Sequence, residues 1–350
     1  MIKQIFKTFV FLATAFLFLF MMHRFGFLRW GDITQAFARH PKTLIGVCGV
    51  QVITAVVMMI RYWKLLNLFG VEADLRRSSA ATFVSTALGQ WFPGSMAVVE
   101  MMRVGLMVGV GSKSEKVSVG MASGIKARLA IVSIVDRLVG FFGILFTGLL
   151  ASAGTLLFAV HDVGVFVLFV FSLGGVLGLI GLPFAVRQNW VKSFLRKKIS
   201  VAEQRGADGF STKGHSVLLH VESLRNDIEM GTRNPMQLVG PILLSVLSLL
   251  LTSAGLFMAA RALSESLDFF QILCVFPIVS LASVLPLGFA GIGGYQLVMA
   301  SVFGVFAVSP SVVASAGLLQ SALLLLVNSL LGLAFLQTCS RQVRQALASS

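Results

Sequence analysis

Glu100 and Arg103 stand in an otherwise apolar stretch, Pro93-Gly94-Ser95-Met96-Ala97-Val98-Val99-Glu100-Met101-Met102-Arg103. Three residues apart on a helix, they share a face and can pair. A charge in an apolar environment is costly, which makes each such residue a functional candidate by default. Arginine brings a specific chemistry. Its planar fork binds phosphate through two parallel hydrogen bonds, and the start of a broken helix adds partial positive charge. The pair therefore has two readings: a structural clamp that pins the backbone break, or a cationic site for a lipid phosphate. Arg128, Asp136 and Arg137 follow at the start of the next apolar run. For Asp136 and Arg137 the alternatives are an interfacial ion pair or further headgroup ligands.

Other chemistry finds little support. Cys48, Cys274 and Cys339 form no CxxC motif, so neither a disulfide framework nor a metal site is suggested. His215 and His220 are five residues apart, about 140° around a helix, and do not share a face. No cofactor motif is apparent. The carboxylates of the expected outer loops, Asp32, Asp162, Glu265 and Asp268, show no recognisable pairing.

The elements that must hold these residues are membrane spans. Of the 350 residues, 57% are hydrophobic and 12% charged, with a mean hydropathy of +0.91. A soluble domain carries roughly a quarter charged residues, so a water-soluble enzyme, a disordered protein and a secreted disulfide scaffold are excluded. Uncharged runs occupy 138–160, 163–186 and 234–260, each long enough for a helix of about 20 residues to cross a bilayer. Residues 269–340 contain no Asp, Glu, Lys, Arg or His at all, and must fold back on themselves. The first apolar run, 8–22, is followed by no small-x-small cleavage site and reads as an uncleaved signal anchor. The run 43–60 ends in Arg61-Tyr62-Trp63-Lys64, which reads as an interfacial anchor.

The formal charge of +14 follows from the positive-inside rule, with attraction to anionic headgroups as the functional addition, so nucleic acid is not expected as a partner. With the N-terminus in the cytoplasm, 22 Lys and Arg fall inside and 5 outside. Both termini and the connector 187–235 are then cytoplasmic, in a bacterial-type inner membrane. Within the connector, Val217, Leu218, Val221, Leu224 and Ile228 recur at helical spacing and predict a short amphipathic helix on the cytoplasmic face.

Two Pro/Gly breaks interrupt the apolar sequence. The first is Pro93-Gly94; its leading arm, 79–92, is about 21 Å as a helix, short of a ~30 Å hydrocarbon core. The second contains Pro286, Gly291, Gly293 and Gly294, followed by Tyr295 and Gln296. Its glycines serve either tight packing or close approach of the backbone to a substrate. Both breaks predict re-entrant hairpins. Helix, hairpin, helix recurs at 43–153 and 238–337 in opposite orientation, the layout of an inverted repeat whose broken helices flank a site near the midplane. The expected fold is thus a single all-α polytopic membrane domain over 1–350, with about six full crossings and two re-entrant hairpins.

The two breaks, Arg103 after the first, Asp136-Arg137-Leu138 ahead of a long span and Gly291-Ile292-Gly293-Gly294 resemble the lysylphosphatidylglycerol synthase transmembrane-region family over roughly 40–340. These are flippase-like membrane proteins. Their usual Gly-Gly-Asp-like turn is replaced here by Ala97-Val98-Val99-Glu100, their Glu-Arg by Asp136-Arg137, and a Glu after the second glycine cluster by Gln296. Full synthases of this type add a soluble aminoacyl-transferring domain, which is not expected here. The resemblance implies translocation or binding of an anionic or glycosylated lipid, without lysyl transfer. Under that reading Arg103, Glu100, Arg128, Asp136 and Arg137 bind the headgroup and the protein is not an enzyme. A membrane-embedded lipid-modifying transferase and a non-catalytic envelope-assembly partner are the alternatives. A homo-oligomer or a lipid-biosynthesis partner stays open.

Overall fold

The computed structural model describes residues 20, 24, 30–92, 95–111, 119–158, 163–187, 236–263, 267–282, 288–289 and 292–347. The connector 188–235 with its expected amphipathic helix lies outside the described residues. So do all but residue 20 of the run 8–22, and Pro93, Gly94, Pro286 and Gly291.

The described chain is helical apart from one two-residue ladder. In order it comprises α1 (Trp30–Arg39), α2 (Pro41–Leu68), α3 (Leu75–Gly89), α4 (Ser95–Gly111), α5 (Val119–Phe158), α6 (Val163–Arg187), α7 (Met236–Ala262), α8 (Phe269–Ala282), β1 (Gly288–Phe289), β2 (Ile292–Gly293), α9 (Gly294–Val302) and α10 (Pro310–Leu347). Among the described residues, five stretches are long and apolar enough to cross a membrane: Pro41–Leu68, Arg128–Leu157, Val163–Gly181, Met236–Ala262 and Pro310–Thr338. They coincide with five of the six expected crossings; the sixth is the run 8–22. The polytopic all-α class is therefore present.

Two local features depart from the expectation. The second break is a small antiparallel ladder, with Gly288 opposite Gly293 and Phe289 opposite Ile292. Two-residue strands have no hydrophobic alternation to reveal them, so sequence periodicity shows only a break. The charge count takes 111–137 as a cytoplasmic segment; from Val119 this segment is already part of α5, whose span begins at Arg128. Lys126, Arg128 and Arg137 raise the charge count without interrupting the helix.

The hairpin arms are short. At 15, 17 and 14 residues, α3, α4 and α8 are about 21–26 Å long, less than a ~30 Å core. Each hairpin packs across the chain's two halves. The α3–α4 hairpin lies chiefly against α10, and the α8–α9 hairpin has α8 against α5. Helices α2 and α7 pack together, and each touches both α5 and α10. Small residues permit these approaches. A methyl on Gly332 of α10 would stand 2.1 Å from Cβ of Ala87 on α3, and one on Gly148 of α5 would stand 2.2 Å from Cγ of Pro277 on α8. Apolar packing seals the second half around Leu256, Ile272, Val275, Met299 and Phe303.

Candidate functional site: a buried arginine cluster

Three helices bring the charged residues together. Helix α2 supplies Arg61 and Tyr62, α4 supplies Glu100 and Arg103, and α5 supplies Asp136 and Arg137. Arg61 and Asp136 form a bidentate pair, Nε to Oδ1 at 2.7 Å and Nη2 to Oδ2 at 3.0 Å, both side chains 4% exposed. The remaining Nη1 of Arg61 donates to Ser245 Oγ of α7 at 3.1 Å. That hydroxyl in turn donates to the Pro241 carbonyl at 3.0 Å. Backbone space is reserved for this pair: a methyl on Gly140 would lie 3.3 Å from Nη1 of Arg61, and one on Gly143 would lie 2.6 Å from Cβ of Ser245.

The second half of the cluster is looser. Arg103 Nη1 reaches Glu100 Oε1 at 3.2 Å and Asp136 Oδ2 at 3.8 Å. Its guanidinium carbon sits 4.6 Å from the centroid of the Tyr62 ring, a cation–π arrangement. Arg137 Nη2 pairs with Glu100. Among these five side chains three are cationic and two anionic, leaving one positive charge in excess. Both Asp136 and Glu100 are satisfied, whereas the Nε atoms of Arg103 and Arg137 are buried without a hydrogen-bond partner.

Of the residues singled out in the sequence, Glu100, Arg103, Asp136 and Arg137 meet here. Asp136 and Arg137 each reach across to another helix, because adjacent residues on a helix point about 100° apart; an interfacial pair of neighbours is not the arrangement found. Arg128 lies two turns earlier on α5, partly buried. The run Arg61-Tyr62-Trp63-Lys64 reads as an interfacial anchor in sequence, yet Arg61 and Tyr62 are 4% and 0% exposed. An aromatic-basic run resembles a headgroup belt in sequence, and only the carboxylate of Asp136, 75 residues away, draws Arg61 inward. Ser245 gave no signal at all.

A second polar group sits where the hairpins meet α10. Gln90, at the end of α3, donates through Nε2 to Ser329 Oγ at 3.1 Å and to the Leu325 carbonyl at 3.4 Å. Asn328 Nδ2 donates to Gln90 Oε1 at 3.2 Å. From the second hairpin, Gln296 is fully buried and donates to Ser321 Oγ at 3.1 Å. Gly293 and Gly294 carry the chain from β2 into α9 just before it. Asn328 is the sole asparagine of the uncharged stretch 269–340 and could have been noticed on that ground. Among the described residues no three His, Cys, Asp or Glu side chains are grouped to hold a metal ion.

No curated protein and no solved structure matches the chain at a significant level. A protein-family model, described as the lysylphosphatidylglycerol synthase TM region, matches residues 4–332. That match includes both hairpins and every member of the arginine cluster, and it covers far more than half of the sequence. The chain is a multi-pass membrane protein that belongs to the lysylphosphatidylglycerol synthase TM region family.

Proposed function

We propose that the protein binds an anionic lipid by its phosphate and carries that headgroup between leaflets. The observation that supports this reading most is the arginine cluster with its excess positive charge and two unpartnered guanidinium Nε atoms. A buried arginine pair that served structure alone would be neutralised and fully hydrogen-bonded, since unpaired buried donors are expensive. A phosphate would supply both the missing charge and the missing acceptors. Glu100 and Asp136 hold the guanidiniums in place, and Arg128, further along α5, stands where an approaching headgroup would first meet positive charge.

The packing of each hairpin on the other half's long helix favours two related halves in opposite orientation, and the excess of Lys and Arg in the segments counted as inside favours N- and C-termini in the cytoplasm of a bacterial-type inner membrane. In that arrangement the broken hairpins line the passage, as irregular backbone within a bilayer must be buried or face a wet cavity.

Reconstitution tests the reading. In liposomes with labelled phosphatidylglycerol, the wild type should exchange lipid between leaflets and Arg103→Gln should not. Arg103→Gln leaves Glu100 with Arg137 and Asp136 with Arg61, so no carboxylate is stranded and the loss of thermal stability in detergent should stay well below the ~3–5 kcal/mol of breaking a buried pair. Arg103→Lys should recover little, because an ammonium lacks the bidentate fork. Undiminished exchange by a folded Arg103→Gln protein would reject the binding role.

A further inference from the structure

Glu100 occupies a donor that its neighbours would offer to a phosphate. Arg61 displays how a guanidinium grips an oxyanion here: Nε and Nη2, the two donors along one edge, both go to Asp136. Arg137 presents the same edge half filled. Its Nη2 donates to Glu100, and its Nε is buried without a partner. A phosphate gripping Arg137 by that fork must take Nη2 from the carboxylate. The pair is also the reachable one. The Glu100 and Arg137 side chains are 16% and 26% exposed, against 4% for both Arg61 and Asp136. Losing Arg137 does not strand Glu100. It keeps Arg103, one turn along α4, at 3.2 Å, so carboxylate and arginine can leave α5 together on their own helix. Across the same two helices Arg103 Nη1 and Asp136 Oδ2 are 3.8 Å apart, beyond hydrogen-bonding distance.

The second hairpin carries a neutral counterpart of this contact. From Arg137 to Ser321 is the same step along the chain as from Gly148 to Gly332. Those two glycines have equivalent neighbours: Gly332 admits Ala87 of the first hairpin, and Gly148 admits Pro277 of the second. Ser321 in turn holds Gln296 just past the second break, as Arg137 holds Glu100 past the first. The contacts repeat between the halves, but their chemistry does not. An amide bonded to a hydroxyl offers an anion no cation, and residues 269–340 contain no Lys or Arg.

We propose that Glu100 is a displaceable stand-in for the lipid phosphate and that its bond to Arg137 latches the first hairpin: an arriving phosphate takes Arg137, frees α4 from α5, and leaves the second hairpin in place. The inference rests on the reading that the arginines hold a phosphate. Two anions cannot share one fork. Glu100 is fixed to α4, so the helix must follow its carboxylate. At the Gln296–Ser321 bond the same ligand has nothing to displace.

The test uses the full chain in phosphatidylcholine nanodiscs, with Cys48, Cys274 and Cys339 replaced and nitroxide pairs at exposed positions. One pair, Met101 with Ile134, spans α4 and α5; the other, Leu297 with Leu326, spans α9 and α10. The probes are a fraction of phosphatidylglycerol in the disc and, separately, inorganic phosphate in solution. Phosphatidylglycerol should lengthen and broaden the Met101–Ile134 distance and leave Leu297–Leu326 unchanged; inorganic phosphate should move neither. Glu100→Gln should show the lengthened distance in phosphatidylcholine alone and bind phosphatidylglycerol about tenfold more tightly, the worth of one charge-assisted hydrogen bond no longer competed for. Glu100→Asp keeps the charge but is one methylene short of Arg137. It should open the first hairpin too, and serves if the amide variant does not fold. Wild type that binds phosphatidylglycerol with an unchanged Met101–Ile134 distance, or with both pairs lengthened alike, overturns the latch and leaves the phosphate reading standing. Lengthening by inorganic phosphate overturns the lipid as the releasing ligand. Failure of wild type to bind phosphatidylglycerol overturns both latch and phosphate reading.

Discussion

Arg61 and Arg103 are both buried arginines on carboxylates, yet their removal should have opposite consequences. Arg61 is the bidentate partner of Asp136, and its third nitrogen is fixed by Ser245. Without it, Asp136 keeps only Arg103 at 3.8 Å. Arg61→Met should therefore destabilise the protein by about 3–5 kcal/mol, the usual cost of stranding one member of a buried pair. Combining it with Asp136→Leu should restore most of that, since removing both charges also removes their desolvation. Thermal unfolding of wild type, both single variants and the double variant measures the coupling; additive losses would refute it. The sequence shows half of this arrangement. Glu100 and Arg103 are conspicuous because apolar residues surround them, and the i, i+3 spacing states their relation. Arg61 is hidden among Tyr62, Trp63 and Lys64, since an interface belt and an inward-drawn arginine look alike until tertiary distance is known. The unpartnered Nε atoms depend on geometry that no spacing rule encodes.

At the scale of elements, the seam between α3 and α10 decides where the first hairpin sits. Phe83 and Phe335 rings meet there at 5.0 Å, Gln90 bonds Ser329, and Gly332 admits Ala87 with no room for a side chain. Gly332→Ala should cost about 1–3 kcal/mol through overpacking, and Ala87→Gly should relieve part of it. Melting temperatures in detergent provide the check, and an unaltered value for Gly332→Ala would mean that the seam is looser than described. The hairpins themselves were legible, because proline and glycine punctuate an apolar run and the arms are too short to cross. Their partners were not. Which long helix receives which hairpin depends on contacts more than 200 residues apart, such as Gln90 with Ser329, and nothing local in either segment names the other.

For the molecule as a whole, the orientation expected from the charge distribution is open to direct measurement. With Cys48, Cys274 and Cys339 replaced, a single cysteine at Lys213 should be labelled only from the cytoplasmic side, and one at Glu265 only from outside. An impermeant reagent that reached the first and not the second in intact cells would invert the scheme. The crossed packing also has a consequence in time. Hairpin α3–α4 is complete once Gly111 has been made, but the helix that receives it begins at Pro310. At roughly 5–20 residues per second, the ribosome takes on the order of ten to forty seconds to deliver that helix. Throughout that interval Gln90 is without its partners Leu325, Asn328 and Ser329. Biogenesis of this protein thus includes a waiting period, during which the half-made chain is exposed to membrane proteases and insertases, and any premature stop before α10 leaves it in that state for good.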